Sequence, residues 1–370
     1  FMIFNFFKKP PSSFLGIDIG TTGIRIVQLG LQDGNITLEN YASIETKDYL
    51  EILGNGGNLN NIKMSDSKIA KDLENVIKKS GIISKKVAMS IPISSAFSSI
   101  MVLPDISEGE IVKAVDFEAR QYIPIPINEV VFDWNVIGEE IHNENNNVVD
   151  NSKQIKKIKV LLVAIPKETT SKYMNIAETL GLKLIALETE SFSLARSLAD
   201  KNDGTFTIVD IGNRTTSVTI VENGSVIGSH TVLGAGGEEI TKIISHGFNV
   251  DFNRAENLKI DVGFSANRGS EKKISEVMLP IISIIISEIK KINESYSRAN
   301  KKNVKKVILT GGTAGLPGLI AHFSKELNVP VEVGDPWKNI THNNVLNEAL
   351  KENAPFFSVA IGLALRGFKK

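Results

Sequence analysis

The segment Phe14-Leu15-Gly16-Ile17-Asp18-Ile19-Gly20-Thr21-Thr22 returns, with small changes, as Phe206-Thr207-Ile208-Val209-Asp210-Ile211-Gly212-Asn213-Arg214-Thr215-Thr216. Each copy is an apolar strand running into Asp-Ile-Gly, then hydroxyl residues, then a second strand carrying Ile24 and Ile26 or Val218 and Ile220. Such duplication predicts two related lobes. Glycine lets the main chain approach a ligand closely, and a turn of Gly with Thr offers N–H and O–H donors to phosphate oxygens. An Asp at the strand end places a carboxylate where a phosphate-bound Mg²⁺ or its water shell sits. One such turn alone is a common structural hairpin. Two in matching places predict a nucleotide clamped in a cleft between the halves.

The 370 residues are 42% hydrophobic and 23% charged, enough for two domains, since single cores stop growing near about 250–300 residues. Balanced charge, 42 basic against 42 acidic residues, leaves no global field for nucleic acid or anionic membrane. The absence of cysteine excludes disulfides and thiolate metal sites and suits a reducing cytoplasm. Histidines are few and scattered. The most apolar run, 277–286, contains Pro280 and Ser283 and falls well short of the roughly 20 residues that span a bilayer. The opening Phe1-Met2-Ile3-Phe4-Asn5-Phe6-Phe7-Lys8-Lys9-Pro10 puts aromatics ahead of the basic pair, the reverse of a secretory signal. A flexible or docked leader is expected there, in preference to one that dips into a membrane.

Strands are predicted at 14–19, 24–30 and 35–44, the last two joined by Gln32-Asp33-Gly34-Asn35. An amphipathic helix follows from Ser65, with Ile69, Leu73, Val76 and Ile77 on one face and Gly81 at its end. Strand 86–91, closed by Pro92, is echoed at Lys159–Pro166. Between them lie a helix (107–121), the run Ile123-Pro124-Ile125-Pro126-Ile127 and a strand (130–137). The Asn- and Lys-rich stretch 138–157 predicts a solvated hairpin tip. A helix at 167–180 leads to a strand at 182–187. The second half predicts strands at 205–211, 216–222 and 225–233, then helices at 237–247, 252–260 and 271–299. Strand 306–309, helix 318–327, strand 331–333 and helix 355–366 complete it. Pro280 is expected to kink or divide the long helix. The expected organisation is a leader (1–13) and a first core subdomain (14–91, completed by 183–204 and 350–370). An α+β insert (92–182), a second core subdomain (205–247 with 305–349) and a helical subdomain (248–304) make up the rest.

Four further groups carry chemistry. Thr310-Gly311-Gly312-Thr313-Ala314-Gly315-Leu316-Pro317-Gly318 joins a strand to a helix, with glycine where the chain would pass beneath a ring or phosphate. Gly234-Ala235-Gly236-Gly237-Glu238-Glu239 opens a helix with acids in its first turn, which suits the helix dipole whatever the function. Glu256 and Lys259 lie three apart on one helix face, the spacing of an ordinary ion pair, but in this context within reach of ribose or base. Glu188 and Glu190 follow strand 182–187. Either one of them orders an attacking water or both belong to an acidic helix start.

This order of parts resembles the actin, sugar-kinase and heat-shock-chaperone superfamily. Phe117-Glu118-Ala119-Arg120-Gln121-Tyr122-Ile123-Pro124-Ile125-Pro126-Ile127-Asn128-Glu129-Val130 resembles the signature of the PilM family, actin-like proteins of type IV pilus assembly. Phe357–Gly367 and Phe6–Pro10 are similar to that family too. The resemblance implies an α/β, actin-like (ribonuclease H-like) duplicated core around a nucleotide cleft, with an inserted FtsA-type α+β subdomain. It implies ATP and Mg²⁺ as ligands, with phosphate contacts from Gly20, Thr21, Thr22, Gly212 and Asn213. Asp18 and Asp210 would act around the metal, in part through water. Gly236 and Gly237 would line the sugar–phosphate side, Glu256 and Lys259 the ribose or base, and Gly311, Gly312 and Leu316 the adenosine. Glu190 and Asp210 are the candidate catalytic residues for at most a weak ATPase. Arg214 is bulkier than the small residue the family carries there, so its role is open.

The same resemblance implies a partner, the N-terminal cytoplasmic peptide of a PilN-like membrane protein. Glu118, Arg120, Tyr122, Pro124 and Pro126 would shape its groove, although the prolines suit simple packing equally well. The pilus motor ATPase and further copies of the chain are additional candidate partners. The expected role is a cytoplasmic scaffold held at the inner face of the cytoplasmic membrane through partners, in a type IV pilus or related type II secretion system. The alternatives are an FtsA-like division protein, which needs an amphipathic anchor beyond the closing helix, and a small-molecule kinase, which needs a substrate pocket in the insert.

Overall fold

The computed structural model describes residues 13–45, 66–143, 154–200, 203–265 and 269–368. The leader (1–12) and the centre of the expected hairpin tip (144–153) lie outside the described residues.

Two five-stranded sheets repeat one topology. In the first, β1 (Phe14–Ile19) pairs antiparallel with β2 (Gly23–Gln32), which pairs with β3 (Asn35–Glu45). On its other side β1 runs parallel to β4 (Lys86–Ile91), and β4 to β8 (Lys183–Thr189). In the second, β9 (Thr205–Ile211), β10 (Thr215–Glu222), β11 (Ser225–Leu233), β12 (Val307–Thr310) and β13 (Val331–Val333) take the same places and directions. The orders β3-β2-β1-β4-β8 and β11-β10-β9-β12-β13 are thus one plan used twice. Central strands buried on both faces need continuous apolar runs. Phe206, Ile208, Val209 and Ile211 supply one on β9.

Between the sheets lie α4 (Glu190–Leu198) and α9 (Asn347–Arg366). Leu194, Ala195 and Leu198 of α4 meet Val359 and Leu363 of α9 in a core shared with Phe206 and Ile308. The outer face of the first sheet takes α1 (Asp66–Lys79) and α3 (Lys167–Thr179). The second takes α5 (Gly237–Phe248), α6 (Phe252–Val262), α7 (Gly269–Asn300) and α8 (Leu319–Leu327). The insert is a three-stranded antiparallel sheet of β5 (Phe97–Pro104), β7 (Gln154–Pro166) and β6 (Val130–Asn143), covered on one face by α2 (Glu108–Tyr122).

Several expectations are corrected. Pro280 does not divide the helix into two, because α7 runs unbroken from 269 to 300. Pro280 and Glu276, whose carbonyl the ring displaces, face solvent, while Met278, Ile281, Ile282 and Ile285 keep the opposite face docked. The last helix starts before Pro355, at Asn347, because its first turns bury Leu350 and Ala354 against Trp337 and Ile340. The strand expected to stop before Gly138 runs on to Asn143 through a register shift between Val136 and Gly138. Strand β5 is absent from the sequence reading. Strand β8 extends through Thr189, which places Glu188 within the sheet.

Candidate functional site

Asp18 ends β1 directly opposite Arg25 of β2 in the antiparallel register. Ser90, one strand over on β4, donates its hydroxyl to Asp18 Oδ1 at 2.7 Å. Asp210 ends β9 beside Thr310 of β12. Glu190 is the first residue of α4, and the main-chain N–H of Ile93 lies close enough to its carboxyl group to lower its pKa. These three carboxyl groups lie near one another.

Their electrostatics establish it. Burial pushes Asp210 up to about 7, and the Asp18 charge adds to the rise while Arg25 opposes it. Burial likewise raises Asp18, with Arg25 and the Ser90 hydrogen bond pulling the other way. Glu190 is raised well above the carboxylate range, first by burial and then by Asp18 and Asp210 together. A charge effect of this kind needs proximity. The two Asp-Ile-Gly turns therefore bring Asp18 and Asp210 close enough for their charges to interact.

Glycine-rich loops close in on the same space. Each turn is tightened by its own hydrogen bond, Gly20 N–H to Gly23 O at 2.9 Å and Gly212 N–H to Thr215 O at 3.0 Å. The start of α5 is laced to the second turn: Gly237 N–H donates to Gly212 O and Glu238 N–H to Asn213 O. A side chain at Gly237 would meet Thr313, Lys259 and Asn213, contributed by three different segments. Gly311, at φ +84°, lies against Asp210, and a methyl there would overlap its carboxylate. Gly312 faces the Phe356 ring, and Arg25 stacks on the same ring, its guanidinium carbon 5.8 Å from the centroid. Thr21 is exposed and Thr22 half-buried at the mouth of the first turn.

Glu256 and Lys259 do meet. The Lys259 ammonium is buried and donates to Glu256 at 2.7 Å, Thr241 at 2.9 Å and Gly237 O at 3.1 Å. Burial lowers its pKa against the pull of Glu256. In this state Lys259 braces the glycine loop from behind, and Glu256 is the half-open member of the pair. The Leu316 side chain turns away from the cleft into the core with Ala314 and Leu319, leaving only its main chain for a ligand. The open question of Arg214 is answered by Glu238. Arg214 Nε and Asn213 Nδ2 both donate to Glu238 Oε2 at 3.1 Å, so Arg214 pins the second turn to α5. Glu188 leaves the cleft. It forms a two-pronged, buried pair with Arg196 at 2.5 and 2.9 Å. Losing one partner of such a pair costs about 3–5 kcal/mol, so Glu188 belongs to the scaffold and Glu190 to the cleft.

Arg25, Ser90 and Phe356 were missed by sequence reasoning, and Thr313 was noted only as part of the glycine-rich turn. Arg25 had left a signal as the one charged residue within the apolar run Ile24–Val27.

A family model described as type IV pilus assembly protein PilM matches residues 16–368. The chain belongs to the PilM family. Among solved structures, the PilM-family fold superposes on a PilM–PilN type IV pilus biogenesis complex with a TM-score of 0.77, at 23% identity over 96% of this chain and 98% of that one. It also superposes on MreB5 of Spiroplasma citri bound to ADP, with a TM-score of 0.50 at 12% identity over 92% and 98% of the two chains. These likenesses establish an actin-like fold. The cell division protein FtsA of Neisseria meningitidis is 30% identical over 209 residues, 50% of this chain and 49% of its own. This chain thus spans about half the length of that relative.

On the PilM-family insert, Arg120, Tyr122, Pro124 and Pro126 are exposed, and half-buried Glu118 accepts from Gln121 Nε2 at 2.8 Å. The underside of the insert sheet does not hang free. Leu161, Val163 and Ile137 pack with Phe206, Val221 and Val226 of the second lobe, and Lys159 Nζ donates to Asn300 Oδ1 at 3.2 Å. Among the described residues, no helix is long and apolar enough to cross a membrane.

Proposed function

We propose that the chain is a nucleotide-responsive scaffold of the inner-membrane assembly platform of a type IV pilus or related type II secretion system. It binds Mg·ATP in the cleft and holds the N-terminal cytoplasmic peptide of a PilN-like membrane protein on the insert, which keeps it at the inner face of the cytoplasmic membrane. The division into leader, two core subdomains, insert and helical subdomain belongs to the same proposal.

The cleft fits such a ligand. Three carboxyl groups with raised pKa values, Asp18 buried and Asp210 and Glu190 half-buried, lie near the Arg25 guanidinium, a deficit of positive charge that a cation would offset. Among the described residues no three acidic or imidazole groups converge tightly enough to chelate a bare ion. That suits Mg²⁺, which binds through one or two carboxylates, phosphate oxygens and retained water. Asp18 and Asp210 would hold it, and bound Mg²⁺ supplies the countercharge for the phosphates. Gly20, Thr21, Thr22, Gly212 and Asn213 line the phosphate path, with Gly236, Gly237, Glu256, Gly311 and Gly312 on the nucleoside side. Glu190, whose pKa is raised by burial and then by Asp18 and Asp210, is poorly suited to act as a base until nearby charge is offset, which favours slow hydrolysis.

The observation that carries the proposal is that the Ile93 main chain lies close enough to Glu190 to lower its pKa, against the rise from burial and from Asp18 and Asp210. Ile93 lies at the root of the insert, directly after β4, so a cleft acid is tied to the arm that would hold the peptide. Titrating a labelled PilN-like N-terminal peptide, with and without Mg·ATP, tests the reading. Nucleotide should change the peptide's Kd at least threefold in wild type and in Glu190→Gln, which keeps an acceptor, but not in Glu190→Ala. Arg120→Ala should weaken the peptide about tenfold by removing a guanidinium suited to carboxylates and main-chain carbonyls. Equal binding by Arg120→Ala and wild type would move the groove elsewhere.

A further inference from the structure

Helix α9 passes between the two sheets, and from Ala354 to Ala364 every residue on it is buried except Phe356. That ring is 39% exposed. A large aromatic left open in such a run forgoes apolar burial that all its neighbours obtain.

The ring is held from both lobes. The Arg25 guanidinium carbon lies 5.8 Å from its centroid, and Arg25 stands across the ladder from Asp18. From the second lobe Gly312 abuts the ring edge, so that a Cβ added there would lie 3.0 Å from Cε1. Thr310 Oγ1 lies 3.1 Å from Pro355 O and 2.9 Å from Ser358 Oγ, which ties the end of β12 to the turn of α9 that carries the ring. Gly311, the next residue, lies against Asp210. Phe356 thus sits where the Asp18–Arg25 pair meets the Gly311–Gly312 step.

Around it, the residues on the nucleoside side of the proposed site bring main chain or charge. Leu316 turns into the core, Gly236, Gly237, Gly311 and Gly312 present backbone, and Glu256 presents a carboxylate. Sites for flat organic ligands are lined chiefly by apolar and aromatic side chains, with a few polar groups to orient the ligand. Phe356 is placed to supply that apolar face.

We propose that Phe356 is the surface on which the nucleotide base stacks, and that it makes the site favour purine over pyrimidine nucleotides. A purine covers more of the phenyl face than a pyrimidine does, and stacking reads ring area, not the hydrogen-bonding edge. Arg25 on the ring and Gly312 at its edge fix the orientation of that face before a ligand arrives, which lowers the ordering cost of binding. The inference rests on the nucleotide reading given above.

The test is calorimetric titration of the full chain with Mg·ATP, Mg·CTP and Mg·tripolyphosphate, on wild type, Phe356→Leu and Phe356→Tyr. Leucine keeps an apolar side chain at an exposed position and removes the π face, so the nucleotide-free melting temperature should stay close to wild type. Wild type should bind Mg·ATP at least about fivefold more tightly than Mg·CTP. Phe356→Leu should bind Mg·ATP about tenfold more weakly, lose most of the preference over Mg·CTP, and bind the baseless tripolyphosphate as wild type does. Phe356→Tyr, which keeps the ring, should bind Mg·ATP like wild type. Undiminished Mg·ATP binding by Phe356→Leu, with wild type binding normally, would overturn this inference alone. Equal changes for Mg·ATP and Mg·tripolyphosphate would overturn it too, and would make the ring a seat for Arg25. If wild type binds neither ligand, the nucleotide reading itself falls and this inference falls with it.

Discussion

Asp210→Asn should weaken Mg·ATP binding about a hundredfold and, with nucleotide absent, raise the melting temperature. Asp210, Asp18 and Glu190 are all raised by burial, and Asp18 raises Asp210 further. Arg25 offsets only part of this. Without a cation the cluster is self-repelling, and replacing one carboxylate with an amide of the same shape relieves it. A gain of about 1–2 kcal/mol corresponds to a few degrees in a protein of this size. The ligand-binding loss and the stability gain are two faces of one strained site.

The pH dependence has a determined sign. A carboxyl group held at about 7 in the folded protein and 3.8 as a free side chain binds more protons folded than unfolded between those values. The nucleotide-free protein therefore loses stability as pH rises from about 4 through about 7. Metal binding requires the ionised form, so Mg·ATP affinity should rise over the upper part of that range. Thermal melts and nucleotide titrations between pH 6 and pH 8, on wild type and Asp210→Asn, should diverge. Parallel curves would mean that Asp210 does not titrate in the cleft.

Gly362→Val should cost about 3 kcal/mol or more and disable both lobes. Gly362 is where α9 lies against the backbone of α4: a methyl there would overlap the Ser193 carbonyl oxygen. The Gly362 carbonyl also accepts from Arg196 Nη1 at 2.6 Å, the same guanidinium that holds Glu188. A branched side chain must therefore separate the two central helices and loosen a buried ion pair, which combines overpacking with loss of a charge partner. Denaturant melts give the cost. A midpoint within error of wild type would show that the crossing tolerates a side chain.

Much of this fold could be read from the chain because the duplicated hairpins are local. Apolar strand, Asp-Ile-Gly and returning strand lie within one short window, and so do the amphipathic faces of α1 and α7. Elements stabilised only from a distance were harder to see. Strand β5 exists because β7 pairs with it, and Ser98-Ser99 near its start break the apolar alternation that would have marked it. The first turns of α9 depend on Trp337 and Ile340, so Pro355 was taken for a helix start. In the site, the glycines and aspartates were legible as types. Arg25 was not, because its meaning comes from standing across the ladder from Asp18. Glu188 and Glu190 are alike in sequence and were separated only by Arg196.

The apolar seam joining Leu161, Val163 and Ile137 to Phe206, Val221 and Val226 makes the insert a strut between lobes, with one foot rooted beside Glu190 and the other resting on the opposite sheet. Any hinge rotation has to slide that seam. Whatever stiffens the insert thereby resists the rotation, and thermodynamic reciprocity then requires each occupant, at the hinge or on the arm, to alter the other's hold by the same factor.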